Sequence, residues 1–332
     1  MVDGKRIIVT GAAGFIGSCM VEYLNEKGYE DLILVDNFGE DEKRPNWSEK
    51  KFTEIVEKEF LFEWLTTHAD VPLAAVIHMG ANSSTTEFDY EVLKKWNVEY
   101  SQKLWDFCTA NKIPYIYASS AATYGDGELG YDDNHEVIYQ LKPLNPYGIS
   151  KNEFDKWALE QSTTPTFWAG LKFFNVYGPN EQHKGRMASV ISHAFHQIKE
   201  NGKVKLFKSY KEGYADGQQL RDFVYVKDLV KVMFWMLDNS LLENPIPSGL
   251  YNVGTGHARS FYDLVDSTFK AMEIDTNIEF IEMPIDIRDK YQYFTEANMQ
   301  KLHQAGYNVP FYELEDGVKD YVQNYLATAI QY

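Results

Sequence analysis

The chain has 332 residues, enough for one large domain with a smaller one beside it. Its formal net charge of −17 repels nucleic acid and anionic membrane surfaces, so an anionic ligand needs a local basic pocket. No apolar run approaches the ~18 residues of a membrane span, and the two cysteines, Cys19 and Cys108, form neither a disulfide framework nor a zinc spacing.

Arg6–Thr10 reads as a short apolar strand rather than a signal peptide, and the eight histidines are scattered without metal-ligand spacing. The expectation is a cytoplasmic protein with buried thiols and no metal. Gly11-Ala12-Ala13-Gly14-Phe15-Ile16-Gly17 follows the strand, and a helical pattern runs through Val21 and Leu24 to Gly28. A glycine loop in that place lets the backbone approach a pyrophosphate, and the helix N-terminus offers free N–H groups. Taken alone, the G-x-x-G-x-x-G spacing is equally a tight turn. Leu32–Val35 is a second strand, closed by Asp36 and Asn37. An acid about 20 residues past the glycines suits the ribose 2′-hydroxyl of NAD. Lys43 and Arg44 suit a 2′-phosphate instead, and the two signals conflict. Residues 40–59 are densely charged and read as exposed.

Leu73–His78 is a buried-type strand leading into Met79-Gly80-Ala81-Asn82, a small-residue turn over which a cofactor can lie. A helical stretch from Asp89 to Ala110 contains Asn97. The strand Ile113–Ala118 then delivers Ser119 and Ser120 at its tip. A hydroxyl there can meet a substrate oxygen or simply cap a turn. Asn145-Pro146-Tyr147-Gly148-Ile149-Ser150-Lys151 opens a helix running to about Glu160. Residues i and i+4 share a helix face, so Tyr147 and Lys151 stand side by side. A neighbouring ammonium favours the phenolate and lowers the tyrosine pKa. Tyr23/Lys27 and Tyr90/Lys94 repeat the spacing, which by itself describes a solvated helix face. Only Tyr147 follows a strand-tip serine pair in an alternating strand–helix chain.

Together, Gly11, Gly14, Gly17, Asp36, Ser120, Tyr147 and Lys151 resemble the extended short-chain dehydrogenase/reductase family. The resemblance implies a doubly wound parallel sheet (Rossmann fold) with a smaller C-terminal substrate-binding domain. The sheet domain is expected at residues 1–174 with 223–256, where Phe223–Val226 and Tyr251–Gly254 read as returning strands. The substrate domain is expected at 175–222 with 257–332. The family also implies that Ser120 polarises a substrate oxygen, Tyr147 exchanges its proton, and Lys151 tunes the tyrosine and binds the nicotinamide ribose.

Phe173-Phe174-Asn175-Val176-Tyr177-Gly178-Pro179, the block from Glu181 to Val190, and Ser83-Ser84-Thr85-Thr86-Glu87 narrow the resemblance to nucleotide-sugar members that epimerise an ADP-sugar at C6. It implies Lys184 as a second acid/base. It implies ADP-sugar contacts from Ser120, Asn175, Arg186, His193, Arg221, Tyr291 and the stretch Phe207-Lys208-Ser209-Tyr210. The implied cofactor is NADP, with NAD as the alternative. Its holders would be the glycine loop with Phe15 and Ile16, then Asp36, Asn37, Lys43, Lys58, Met79, Gly80, Ala81, Asn82, Ser83, Asn97, Tyr147, Lys151, Val176 and Lys184. Lys184, Arg186 and Arg221 would form the local basic pocket, although Arg221 beside Asp222 could be a plain ion pair. A homo-oligomer, a pentamer, is implied by resemblance only. A 4,6-dehydratase would carry an Asp-Glu pair where Ala121-Ala122 stand. A UDP-hexose 4-epimerase would share Ser120, Tyr147 and Lys151 without needing the His183–Ser189 block. A non-catalytic NADP sensor would be expected to lose Tyr147 or Lys151.

Overall fold

A computed structural model describes residues 4–84, 87–288 and 291–332. Its strands are β1 Arg6–Thr10, β2 Leu32–Asp36, β3 Glu54–Glu57, β4 Leu73–His78, β5 Tyr115–Ser120, β6 Trp168–Phe173, β7 Asn175–Tyr177, β8 Val204–Phe207, β9 Leu220–Tyr225, β10 Gly249–Val253, β11 Ala258–Ser260 and β12 Ile278–Ile281. Seven form one sheet in the order β3-β2-β1-β4-β5-β6-β10, with every pair parallel. Parallel strands covered on both faces read as continuous apolar runs, and β2, β6 and β10 are buried along their whole length. The chain leaves β1 toward β2 and β3, then crosses to β4 on the other side. The crevice at the carboxyl ends of β1 and β4 is the switch point where doubly wound sheets bind ligands.

Two readings of the sequence need correction. Residues 40–59 are not all exposed: Asn46 is buried, and Glu54–Glu57 pairs with β2 as the sheet edge. Only Val56 of that strand is buried, so its pattern carries little apolar signal. Of the two returning strands, only β10 joins the main sheet. Leu220–Tyr225 instead lies between β11 and β7 in a separate sheet of three. Its burial pattern fits either sheet, and only the partners decide. The helix after β9, Val226–Ser240, packs on Phe15–Glu26, with Phe234 edge-on to Tyr23 at 5.5 Å. Helices Val190–Asn201, Phe261–Ala271 and Leu314–Tyr321 pack together beyond β7, and β8 pairs with β12. Among the described residues no helix is long and apolar enough to cross a membrane.

His78, at the end of β4, ties the switch point together. Its Nδ1 lies 2.6 Å from Thr10 Oγ1 and its Nε2 3.0 Å from Ser101 Oγ. Burial, helped by the Lys151 charge, lowers its pKa to about 3. The folded protein therefore refuses a proton that the unfolded chain accepts below its ordinary value of 6.5. Stability should fall as pH drops from 6.5 toward 3, by about 1.4 kcal/mol per pH unit from this group. Urea midpoints across that range should show a shallower slope in His78→Asn.

Candidate functional site

A cavity of about 860 Å³ opens at the switch point. Its floor is glycine. Gly11 sits at φ +68°, and a Cβ there would lie 2.7 Å from the Gly80 nitrogen, so the loops after β1 and β4 touch backbone to backbone. A Cβ on Gly17 would lie 2.0 Å from the Gly11 carbonyl oxygen, which brings the helix hard against its own loop. That helix, Phe15–Glu26, starts at Gly14 with no side-chain cap on its first N–H groups. Uncapped N–H groups at a positive dipole end suit a phosphate.

At one end of the cavity Asp36 braces the loop. Its Oδ2 accepts the Ala13 N–H at 2.9 Å, and its Oδ1 accepts the Asn37 N–H at 2.7 Å. Lys43 Nζ lies 3.8 Å from Asp36 Oδ1 and 2.9 Å from Glu40. Lys58 Nζ sits 4.2 Å above the Trp96 ring. Both lysines line the cavity, as do Glu40 and Trp96, which sequence reasoning did not single out.

The middle of the cavity holds Ser120, Tyr147 and Lys151. Asn145 caps the helix Pro146–Glu160 by accepting the Gly148 N–H at 2.8 Å. Gly148 lets that helix approach the serine turn closely, since a Cβ there would lie 2.7 Å from the Ala122 carbonyl oxygen. Ser120 serves as both turn cap and cavity wall: its Oγ accepts the Ala122 N–H at 3.1 Å. Neither of the other two Tyr-x-x-x-Lys pairs lines the cavity. Lys27 lies over Tyr23, and Tyr90 bonds Glu153.

The expected tuning of the tyrosine is corrected here. Burial raises the Tyr147 pKa above its ordinary value, and a hydrogen bond with Ser120 only partly offsets this. Burial also lowers Lys151 to about 8, with Asp155 opposing. Its Nζ donates to the Ala118 carbonyl at 2.9 Å.

Lys184 also lines the cavity, on the turn Gln182–Met187. Its Nζ lies 5.4 Å from the Phe15 ring centroid, and burial lowers its pKa while Glu181 opposes. Glu181 anchors the turn, a role no sequence signal announced. Its carboxylate accepts from Ser189 N at 2.7 Å, Ser189 Oγ at 2.5 Å and Tyr321 OH at 2.9 Å. Gly185, at φ +50°, reverses the chain after Lys184, and Arg186 is exposed.

Asn175, Val176, Met79, Gly80, Ala81, Asn82 and Ser83 also line the cavity. Asn37, Asn97, Arg186, His193, Phe207, Lys208, Ser209, Tyr210, Arg221 and Tyr291 do not. Asn97 stands behind the wall, exchanging hydrogen bonds with the Asn82 backbone at 2.8 and 2.9 Å and donating to Ser150 at 3.0 Å. Arg221 donates to the Leu220 and Gln292 carbonyls at 2.8 and 2.5 Å. It lies between the rings of Phe261 and Tyr291, at 5.6 and 5.5 Å, and Phe261 is a cavity wall. It is not paired with Asp222, whose carboxylate accepts N–H groups from Thr255, Gly256 and Ala297. The basic pocket expected of three cations is therefore supplied at the wall by Lys184 alone of the three. Lys208 and Tyr210 are engaged by Glu282. Thr85 and Thr86 lie outside the described residues.

This arrangement places a dinucleotide-type floor, a serine–tyrosine–lysine set and a second lysine around one cavity. The chain is similar over nearly its whole length to enzymes called ADP-L-glycero-D-manno-heptose-6-epimerase. The one from Fusobacterium nucleatum subsp. nucleatum is 52% identical over 98% of this chain and 99% of its own. The one from Nitratidesulfovibrio vulgaris is 51% identical over 97% and 98%. The crystal structure of the Helicobacter pylori enzyme of that name superposes with a TM-score of 0.80 at 28% identity, covering 97% of this chain and 96% of that one. A family model described as "NAD dependent epimerase/dehydratase family" matches residues 7–254, from the first strand to just past β10. The chain belongs to the NAD dependent epimerase/dehydratase family.

Proposed function

We propose that the chain epimerises ADP-glycero-D-manno-heptose at C6 of the heptose, from the D-glycero to the L-glycero form, with NADP as its resident cofactor. The observation that carries the reading is that Tyr147 and Lys184 line one cavity from separate elements, a helix and the turn after β7. The product would supply heptose for the lipopolysaccharide core.

The cavity fits a nicotinamide dinucleotide. The loops touching at Gly11 and Gly80 leave room only for backbone, and the uncapped helix start suits a pyrophosphate. The carboxylate of Asp36 is engaged by two backbone N–H groups, while Lys43 and Lys58 present ammonium groups at the same end. That balance favours a 2′-phosphate. When bound, the cofactor accepts a hydride from C6 and returns it, so no net oxidation occurs.

The residues supply the proton chemistry. Ser120 holds the C6 oxygen, and one basic group takes its proton as the alcohol becomes a ketone. Rotation about C5–C6 then turns the other carbonyl face to the cofactor and moves the oxygen. A proton-transfer group works only within hydrogen-bond reach, so the second position calls for a second group. Tyr147 serves one pose and Lys184 the other. The partly desolvated Lys184, with its lowered pKa, is suited to exchanging a proton. Asn175 lines the substrate side. Arg221 holds Phe261 and Tyr291 from behind. Residues 175–222 with 257–332, which include β8 and β12, would form the substrate domain.

Incubating the protein with one epimer of ADP-glycero-manno-heptose and following C6 by NMR tests the activity. Lys184→Met should slow interconversion by at least about a hundredfold while bound NADP is retained. Near-normal turnover would overturn the two-base scheme. Absence of C6 exchange in the wild-type protein would overturn the function.

A further inference from the structure

His183 stands next to Lys184 on the cavity wall and has no part in the mechanism above. Its Nδ1 lies 3.2 Å from Asn46 Nδ2. Asn46 is buried, and the same Nδ2 donates to the carbonyls of Ala13 at 3.0 Å and Asn180 at 3.2 Å. Those two carbonyls fix the orientation of the amide, because turning it over would set its oxygen against two oxygens. The NH₂ group has two hydrogens for three acceptors, so one is shared, and its nitrogen has no lone pair to accept with. A proton on His183 Nδ1 would be set against those hydrogens, so Nδ1 carries none. The imidazole is therefore neutral, with its proton on Nε2. No hydrogen bond to Nε2 occurs among the described residues.

We infer that His183 is a cofactor-binding residue whose Nε2–H donates to the 2′-phosphate of NADP, and that Asn46 is the positioning residue that holds it in that tautomer. The inference rests on the proposed use of NADP. The ring lies at the adenosine end of the cavity. Asn46 belongs to the short helix Asp41–Asn46 that carries Lys43, and it also holds the carbonyl of Ala13, whose N–H is held by Asp36. The charged groups facing the ring are Lys43 and Lys184 on one side of the balance and Asp36 and Glu40 on the other. Burial and the two lysines lower its pKa, in keeping with the unprotonated Nδ1 that the Asn46 contact requires. A neutral donor near Lys43 and Lys184 adds a hydrogen bond to a phosphate site without a third positive charge beside Lys184. Asn46 also joins the glycine loop to the turn of Lys184, so the cofactor end and the second base share one anchor.

Binding, rather than turnover, tests the inference. The full chain, freed of nucleotide, is titrated with NADP+ and with NAD+, read by tryptophan fluorescence. His183→Leu should weaken NADP+ about tenfold and NAD+ by no more than about twofold, because only NADP+ carries the 2′-phosphate. His183→Gln, which keeps a donor, should recover part of the loss. In the wild-type protein, ¹⁵N NMR should show His183 Nδ1 unprotonated and Nε2 protonated, and Asn46→Ala should erase that bias. Unchanged NADP+ affinity in His183→Leu, equal weakening of both nucleotides, or the opposite tautomer would each overturn the inference and leave the NADP reading standing. Wild-type preference for NAD+ would remove both.

Discussion

Tyr147→Phe should reduce C6 epimerisation by about 10³-fold and leave NADP bound. The phenyl ring fills the same space on the helix Pro146–Glu160, so only the transferable proton is lost. NMR of the heptose C6 signals measures the rate, and nucleotide released from the denatured variant measures the cofactor. The double variant Tyr147→Phe/Lys184→Met should be little worse than either single one. Two groups serving two halves of one cycle each block the whole when removed, and such losses do not add. Additive losses, or a Tyr147→Phe variant within about tenfold of wild type, would remove Tyr147 from its proposed role.

Lys172→Met should produce the largest loss of stability, about 3–5 kcal/mol. Lys172 and Asp155 are both fully buried, with Nζ 2.7 Å from Oδ2. Asp155 also accepts from Tyr117 OH at 2.9 Å and Ser119 Oγ at 2.6 Å, and Lys172 donates to Thr123 at 2.8 Å. Methionine keeps the volume but strands the Asp155 charge in a low-dielectric interior. Asp155→Asn/Lys172→Met should recover much of the loss, because no isolated charge remains. Urea denaturation gives the values, and a single variant within about 1 kcal/mol of wild type would contradict the assignment. The pair bridges β5, β6 and the helix of Tyr147, so the candidate-site strand tip and helix share one buried ionic link.

Much of this was readable from the chain. The apolar run at Arg6–Thr10, the glycines after it and the serine pair ending β5 have local causes, and local patterns reveal them. Context alone chose Tyr147 over Tyr23 and Tyr90, and the cavity contains only the first of these. What stayed hidden depends on partners distant in sequence. Glu54–Glu57 is a strand because β2 offers it an edge, not because its own residues alternate clearly. Phe223–Val226 reads as a main-sheet strand, and only the pairing of Leu220–Tyr225 with β7 and β11 places it elsewhere. Arg221 reads as a pocket cation or a partner of Asp222 until the Gln292 carbonyl, 71 positions away, is seen to engage it. The lowered pKa expected for Tyr147 failed for a related reason: spacing shows that an ammonium is near, but not that the phenol itself is buried, which raises its pKa.

The contact between Gly11 and Gly80 bears on how such a catalyst lives in a cell. Two loops meeting backbone to backbone have no side chain that can swing aside, so the floor beneath the dinucleotide gives way only if the strands themselves part. Under the proposed epimerisation the cofactor ends restored, and such a reaction has no use for exchange with the surrounding pool. A rigid floor suits a long residence time, and the protein would then turn over at a rate set by its sugar supply, indifferent to swings in the cell's nicotinamide redox balance.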